Sequence, residues 1–300
     1  MSSDRNSRVA KASAPGTCGE LAQGMLDGVL CLVTCPIDIR STATVELQPG
    51  NGMVDAPPDS PKSARAAKAT LDFLGERGVD ARLSLGSNLP RGKGMASSTA
   101  DVAASIAATA AAAGHPLEPA QIAEIALGVE PSDGVMFQGI ALFDHREGKI
   151  ARSLGQPPPM RALVLDFGGV VDTLEYNREC NSVTRDDALK LQGPRMSEAV
   201  SLIEAGLLQG NPLFIGKGAT ISAIANQQVT FNPHLDDVLA LSTEVGAYGV
   251  NVAHSGTVIG LLLPDRKDVT ARAADCARKR LDCLESAVQC RVEGGGVRIH

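Results

Sequence analysis

The apolar positions of this chain alternate between two periods, and the switches between them outline its elements. From Val9 the chain enters short β-rich runs, Val29 to Thr34 and Ser41 to Leu47, set apart by Gly and Pro, a pattern that reads as strands and turns. Residues 49–62 are Pro/Gly/Asp-rich and read as a loop, followed by a helix over 63–77 with a Lys/Arg-bearing polar face. ARLSLGSNLP reads as a strand running into a loop. SSTADVAASIAATAAAAG is a strong helix, Ala-dominated, opened by hydroxyl residues and stopped at Gly114. PLEPAQIAEIALGVE gives a second helix, and residues 134–154 a hairpin. GQPPPM at 155–160 is the best linker and sets a domain boundary, giving units 9–155 and 156–300. Beyond it come a buried strand, RALVLDFGG, and helices near 185–192, 195–208, 211–226 and 234–246. YGVNVAHSGTVIGLLLP reads as turn, Gly-rich loop and strand, 265–286 as a long helix, and CRVEGGGVRIH as a closing strand. No internal repeat is visible.

Composition narrows the function classes. Hydrophobic residues make up 44% of the 300 and charged residues 21%, enough for a sizeable core. Aromatics are only 3% and Trp is absent, so that core rests on Ala, Val, Leu and Ile. A net charge of −6 with no basic run argues against sequence-independent nucleic-acid binding. The seven cysteines, Cys18, Cys31, Cys35, Cys180, Cys276, Cys283 and Cys290, are odd in number and scattered, without a C-x-x-C or zinc pattern. They read as buried small hydrophobes, and the seven-residue spacing of the last three could put them on one helix face. Residues 1–9 lack an apolar core segment, and no apolar stretch reaches the roughly 20 residues of a membrane span. A cytoplasmic protein without membrane or nucleic-acid partners is expected; the residues fix no oligomeric state.

The most informative segment is Asn88 to Asp101, where a strand feeds a loop with Gly92 and Gly94, and Ser97, Ser98 and Thr99 open the Ala-rich helix. Glycines let the backbone approach a phosphate closely, and a helix start offers unpaired N–H groups and the positive end of a dipole. Together they form an anion site for a di- or triphosphate. A hydroxyl there can also ligate Mg²⁺. The competing reading is a plain strand–turn–helix with a Ser cap. Neither G-x-x-x-x-G-K-[ST] nor G-x-G-x-x-G is present. Lys93 could neutralise a phosphate or simply be solvated.

LPRGKGMASSTA resembles the GHMP kinase signature P-x-x-x-G-L/M-x-S-S-A through Pro90, Gly94, Met95, Ser97 and Ser98. Ala14 to Gly24 is similar to the first motif of that superfamily, in the P-x-x-C-G-E-L-x-Q-G form of the L-threonine kinases of cobalamin biosynthesis. Thr17 stands where many members carry a Lys. Gly246 to Gly260 is similar to the third motif. The L-D-x-G-G-x-x-D-T pattern from Leu165 to Thr173 also resembles the threonine-kinase subgroup.

The resemblance implies an α+β GHMP kinase fold, with a ribosomal S5-like amino-terminal domain and a ferredoxin-like carboxy-terminal domain. It implies ATP and Mg²⁺ as cofactors and a small hydroxyl amino acid as partner, giving O-phospho-L-threonine and ADP. Pro90, Gly92, Gly94, Met95, Ala96, Ser97, Ser98 and Thr99 would then hold the nucleotide. Ser98 and Glu130 would hold the metal, Glu130 being favoured over Glu124. Asp133 would act as base or hold the substrate ammonium, with Lys93 as a further catalytic group. Glu20, Asp172, Thr173, Ser255, Gly256 and Thr257 would meet the substrate, and His254 would support its loop; a surface Glu20, solvated acids in a capped turn at Glu130 and Asp133, and an Asx-capped turn at Asp172 are the competing readings. Two other readings stay open: another small-alcohol kinase such as a homoserine or serine kinase, and a non-catalytic GHMP-like binder.

Overall fold

The computed structural model describes residues 8–169 and 183–300. Two long strands, β1 (Arg8–Leu26) and β2 (Val29–Pro49), form an antiparallel hairpin through the two-residue turn Asp27-Gly28. Both turn residues have positive φ (50° and 80°), the twist that a tight hairpin requires. The alternation in the sequence reveals only part of this hairpin. Gly16 and Gly19 interrupt the pattern, and the pairing continues past them through register shifts between Pro15 and Ala22.

β3 (Val54–Asp55) lies within the expected loop, followed by α1 (Pro61–Phe73), β4 (Val79–Ser87), α2 (Ser97–Ala112) and α3 (Pro119–Val129). The expected hairpin is β5 (Ile140–Phe143) and β6 (Ala151–Gly155), and β7 (Met160–Asp166) follows. The two helices expected near 185–192 and 195–208 are one, α4 (Val183–Gln209), with Pro194 inside it. Proline removes one backbone donor there, but burial of Met196, Ala199, Val200 and Ile203 holds the helix beyond it. α5 (Pro212–Asn226), α6 (Leu235–Val245), β8 (Gly249–Val252), β9 (Ile259–Pro264), α7 (Lys267–Arg280), β10 (Ser286–Arg291) and β11 (Arg298–Ile299) complete the described chain. α7 ends at Arg280, so Cys276 lies on it, Cys283 lies beyond its end and Cys290 is buried on β10. The cysteine spacing therefore does not mark one helix face.

The strands form one sheet in the order β10-β7-β9-β8-β1-β2-β4-β3, with β5 and β6 branching from β2 and β11 paired to β1. The halves of the chain meet where Glu20 of β1 pairs with Val252 of β8. β7 is buried on both faces. Met160, Ala162 and Val164 join the main core with β1, β2 and α2, while Leu163 and Leu165 join a second core under α6 and α7. α2 is buried at every position except Ser98 and Ala111. Its alanines are what allow so close an approach: larger side chains would push the helix off the hairpin.

Candidate functional site: the α2 amino terminus

The loop from β4 to α2 takes the left-handed backbone conformation at Gly92 (φ 70°), Gly94 (φ 82°) and Ala96 (φ 53°). Ala96 is the residue preceding α2, and no side chain caps the helix there. A left-handed alanine costs about 1 kcal/mol or more. The residue before α2 thus leaves the first-turn N–H groups without a side-chain cap, as an anion site requires.

The other two motifs pack directly on this loop. Thr17 N–H donates to the Met95 carbonyl at 3.0 Å, and a Cβ on Gly16 would lie 2.3 Å from Leu89 Cδ2. From the other side, Thr257 and Val258 N–H both donate to the Lys93 carbonyl, at 3.2 and 3.3 Å. Gly256 sits against Gly94 so closely that a Cβ on it would be 2.4 Å from Gly94 Cα.

The loop opens into a cavity of about 400 Å³. Gly92, Gly94, Met95, Ala96, Ser97, Ser98 and Thr99 line it, as do Glu20, Glu130, Asp133 and Ser255. Pro90 leads into the loop without reaching the wall, and Gly256 and Thr257 support the wall from behind. Glu130 is buried (4% exposed) just past the end of α3. Ser98 Oγ donates to its Oε1, and Lys62 Nζ donates to its Oε2 at 2.5 Å. Glu124 is exposed on α3 and lies outside the cavity. Thr99 Oγ1 donates to Asp133 Oδ2 and accepts from the Asp133 N–H, both at 3.4 Å.

The carboxylates here are crowded. Burial, then the charge of Glu130, raises Asp133 to about 6. Burial, then the charge of Asp133, raises Glu20 well above the ordinary carboxylate range. Glu20 is 4% exposed, and its Oε2 has no partner among the described residues.

Lys93 does not line the cavity, contrary to its expected catalytic place. Its ammonium lies 3.0 Å from both oxygens of Asp166 at the end of β7, so an ion pair across the two halves of the chain takes its charge. The cations that do line the cavity are Lys62 and Arg91, the latter paired to Asp59 at 2.9 Å. The sequence reading missed both. The signal for Lys62 was Ser60-Pro61, a hydroxyl residue followed by proline at a helix start, which places Lys62 in the first turn of α1. His254 lines the cavity, with Nδ1 2.9 Å from Gln23 Oε1. His145 was also missed; it lines the cavity from just beyond β5. Asp172 and Thr173 lie outside the described residues.

The family described as GHMP kinases N terminal domain matches residues 62–141, which run from Lys62 through the glycine loop to β5. The chain is 36% identical to the L-threonine kinase of Salmonella typhimurium over 92% of its own length and 91% of that protein's. The chain belongs to the GHMP kinase family. The L-threonine kinase of Citrobacter freundii is likewise 36% identical, over 87% of this chain and 89% of that one. Among solved structures, a homoserine kinase from Cytophaga hutchinsonii superposes with a TM-score of 0.72 at 18% identity, covering 100% of this chain and 99% of that one. This GHMP kinase is an ATP-dependent phosphotransferase acting on a hydroxyl group, with the α+β fold of its family. None of its described helices is long and apolar enough to cross a membrane.

Proposed function

We propose that this GHMP kinase transfers the γ-phosphoryl group of ATP to the side-chain hydroxyl of L-threonine. The product would be O-phospho-L-threonine, whose carbon skeleton suits the aminopropanol arm of cobalamin. The observation that carries the reading is the uncapped start of α2 behind three left-handed residues, with Ser98 bound to Glu130 at its first turn. The choice of acceptor rests on the two L-threonine kinases that share 36% identity with nearly the whole chain.

The triphosphate lies along Gly92 to Thr99, met by the positive end of α2, with Lys62 holding the Glu130 carboxylate in place. Ser98 and Glu130 offer a hydroxyl and a carboxylate oxygen side by side, and the described residues hold no cluster of three metal-binding side chains. That donor set suits Mg²⁺, a hard cation that keeps waters and shares substrate phosphates. When bound, Mg²⁺ neutralises charge on the phosphates. The acceptor's hydroxyl oxygen bonds to the γ-phosphorus as the bond to the bridging β,γ-oxygen breaks, and ADP leaves. Asp133 takes the hydroxyl proton, and a carboxylate held near pKa 6 suits that task. Glu20 receives the substrate ammonium, whose charge draws the buried carboxyl into its ionised form, and Ser255 lines the same cavity. Lys93, held by Asp166, steadies the loop.

ADP release in the presence of L-threonine, L-serine and L-homoserine, with the phosphoproduct identified by mass, tests the reading. L-threonine should give the highest kcat/KM. Ser98→Ala and Glu130→Ala should each lower it by about 100-fold or more. Full activity in both variants would overturn the site, and O-phosphohomoserine or phosphoserine as the main product would overturn the acceptor.

A further inference from the structure

An amino acid presents three groups to a kinase: the hydroxyl that reacts, an ammonium and a carboxylate. Glu20 and Asp133 are suited to the first two, but acidic side chains cannot take the third. Four cavity-lining side chains carry nitrogen donors: Lys62, Arg91, His145 and His254. Lys62 is committed to Glu130 and Arg91 to Asp59, both on the α1 side of the cavity.

His254 follows two residues after Val252, the β8 residue that pairs with Glu20. Gln23, three residues after Glu20 on β1, donates through Nε2 to the Val252 and Ala253 carbonyls, each at 3.4 Å. Those bonds turn Gln23 Oε1 toward His254, so His254 Nδ1 carries the proton of their 2.9 Å contact. The His145 ring packs edge-on against His254, with centroids 4.8 Å apart. The His145 carbonyl accepts from Ser132 N–H at 2.9 Å, which fixes the residue beside the Asp133 loop.

His145 is 3% exposed, and neither of its ring nitrogens has a hydrogen-bond partner among the described residues. A buried imidazole without partners is costly, and its place in the cavity wall points to a ligand that satisfies it. Burial, then the nearby charge of Arg146, lowers its pKa to about 4, so without ligand it stands neutral, with one N–H to donate.

We propose that His145 binds the carboxylate of the amino-acid acceptor, its ring held in place by His254 and Gln23. The proposal rests on the reading that the acceptor is a hydroxyl amino acid, and it adds the residue that distinguishes such an acceptor from a plain alcohol.

The test compares L-threonine with 1-amino-2-propanol, which keeps the hydroxyl and the ammonium but has no carboxyl group, in the wild-type enzyme and in His145→Ala and His145→Gln. Both substitutions should raise KM for L-threonine by about tenfold or more, Gln less than Ala because its amide can still donate. KM for 1-amino-2-propanol and for ATP should stay within about twofold, and an unchanged ATP KM also shows that the variants fold. Should His145→Ala not fold, the Gln variant carries the comparison. An unchanged KM for L-threonine, or equal losses on L-threonine and 1-amino-2-propanol, would overturn the proposal while leaving the acceptor reading intact. If the wild type prefers serine or homoserine, the same comparison applies to that acid and the amino alcohol that lacks its carboxyl group. A wild type that phosphorylates none of the three would bring down the acceptor reading and this proposal with it.

Discussion

Asp133 is a carboxylate that the fold holds away from its ordinary ionisation. Burial and the charge of Glu130 raise it from 3.8 to about 6, against the smaller opposing pull of Thr99. A folded-state pKa above the unfolded one stabilises the protein only at low pH. The benefit is fully present below about 4 and is lost as pH rises through about 6. At pH 7.5 the charged group therefore costs stability, on the order of 1–2 kcal/mol once its partial opening to the cavity is allowed for. Asp133→Asn should raise Tm at pH 7.5 without nucleotide or metal, and that gain should vanish near pH 4. The same variant should lose most of its kcat. In the wild type, kcat/KM should fall as pH drops through about 6, because the protonated acid cannot accept the hydroxyl proton. Thermal melts across pH 4–8 check the first statement and a pH–rate profile the second. An Asn variant less stable than wild type at pH 7.5 would show that Asp133 is held by favourable contacts rather than strained by its neighbours.

Among the elements, the glycine loop is the piece whose shape is least tolerant of change. A side chain on Gly94 would meet Ala253 Cβ at 2.3 Å and Gly256 Cα at 3.0 Å, at a φ of 82° that L residues rarely adopt. Gly94→Ala should destabilise the protein by about 2 kcal/mol or more and weaken ATP binding. Gly75→Ala, also at positive φ but with nothing within 4 Å of a Cβ, should carry only the backbone cost and leave ATP affinity unchanged. Chemical denaturation with nucleotide titration separates the two; equal ATP affinities in all three proteins would mean that the packing of loop on loop is irrelevant to the nucleotide. This loop was legible because its chemistry is contiguous: Gly92, Gly94 and Ser97 to Thr99 fall within eight residues of sequence. His145 was not, because only packing brings it beside His254, more than a hundred residues away in sequence. Lys93 stood out inside the loop, yet the side chain that claims it, Asp166, lies on a distant strand. Likewise α4 was divided at Pro194 because local propensity speaks there, whereas burial along the helix decides.

At the scale of the whole molecule, the Pro-rich stretch at 155–160 suggests two units, but what crosses it is substantial. One sheet runs through both, joined where Glu20 pairs with Val252, and Asn251 Nδ2 donates to the Cys18 carbonyl at that seam. The main core takes Met160, Ala162, Met196 and Ile215 from one side and Ala12, Val33 and Ile106 from the other. β11 returns to pair with β1, and His300 N–H donates to the Lys11 carbonyl at 2.8 Å. Arg40 of β2 pairs with Glu293, and Lys93 with Asp166. If residues 156–300 unfolded alone, they would expose one face of β1 and strip the glycine loop of its supports at Gly256 and Thr257. No intermediate of that kind should be stable. Calorimetry of the full chain should show a single transition, with calorimetric and van't Hoff enthalpies equal, and ATP with Mg²⁺ should move that whole transition upward. Two transitions, of which ATP shifted only the one lost on deleting residues 156–300, would mean that the phosphate loop folds without its carboxy-terminal supports. The joined sheet would then be a docking surface between independent units rather than the frame that assembles the site.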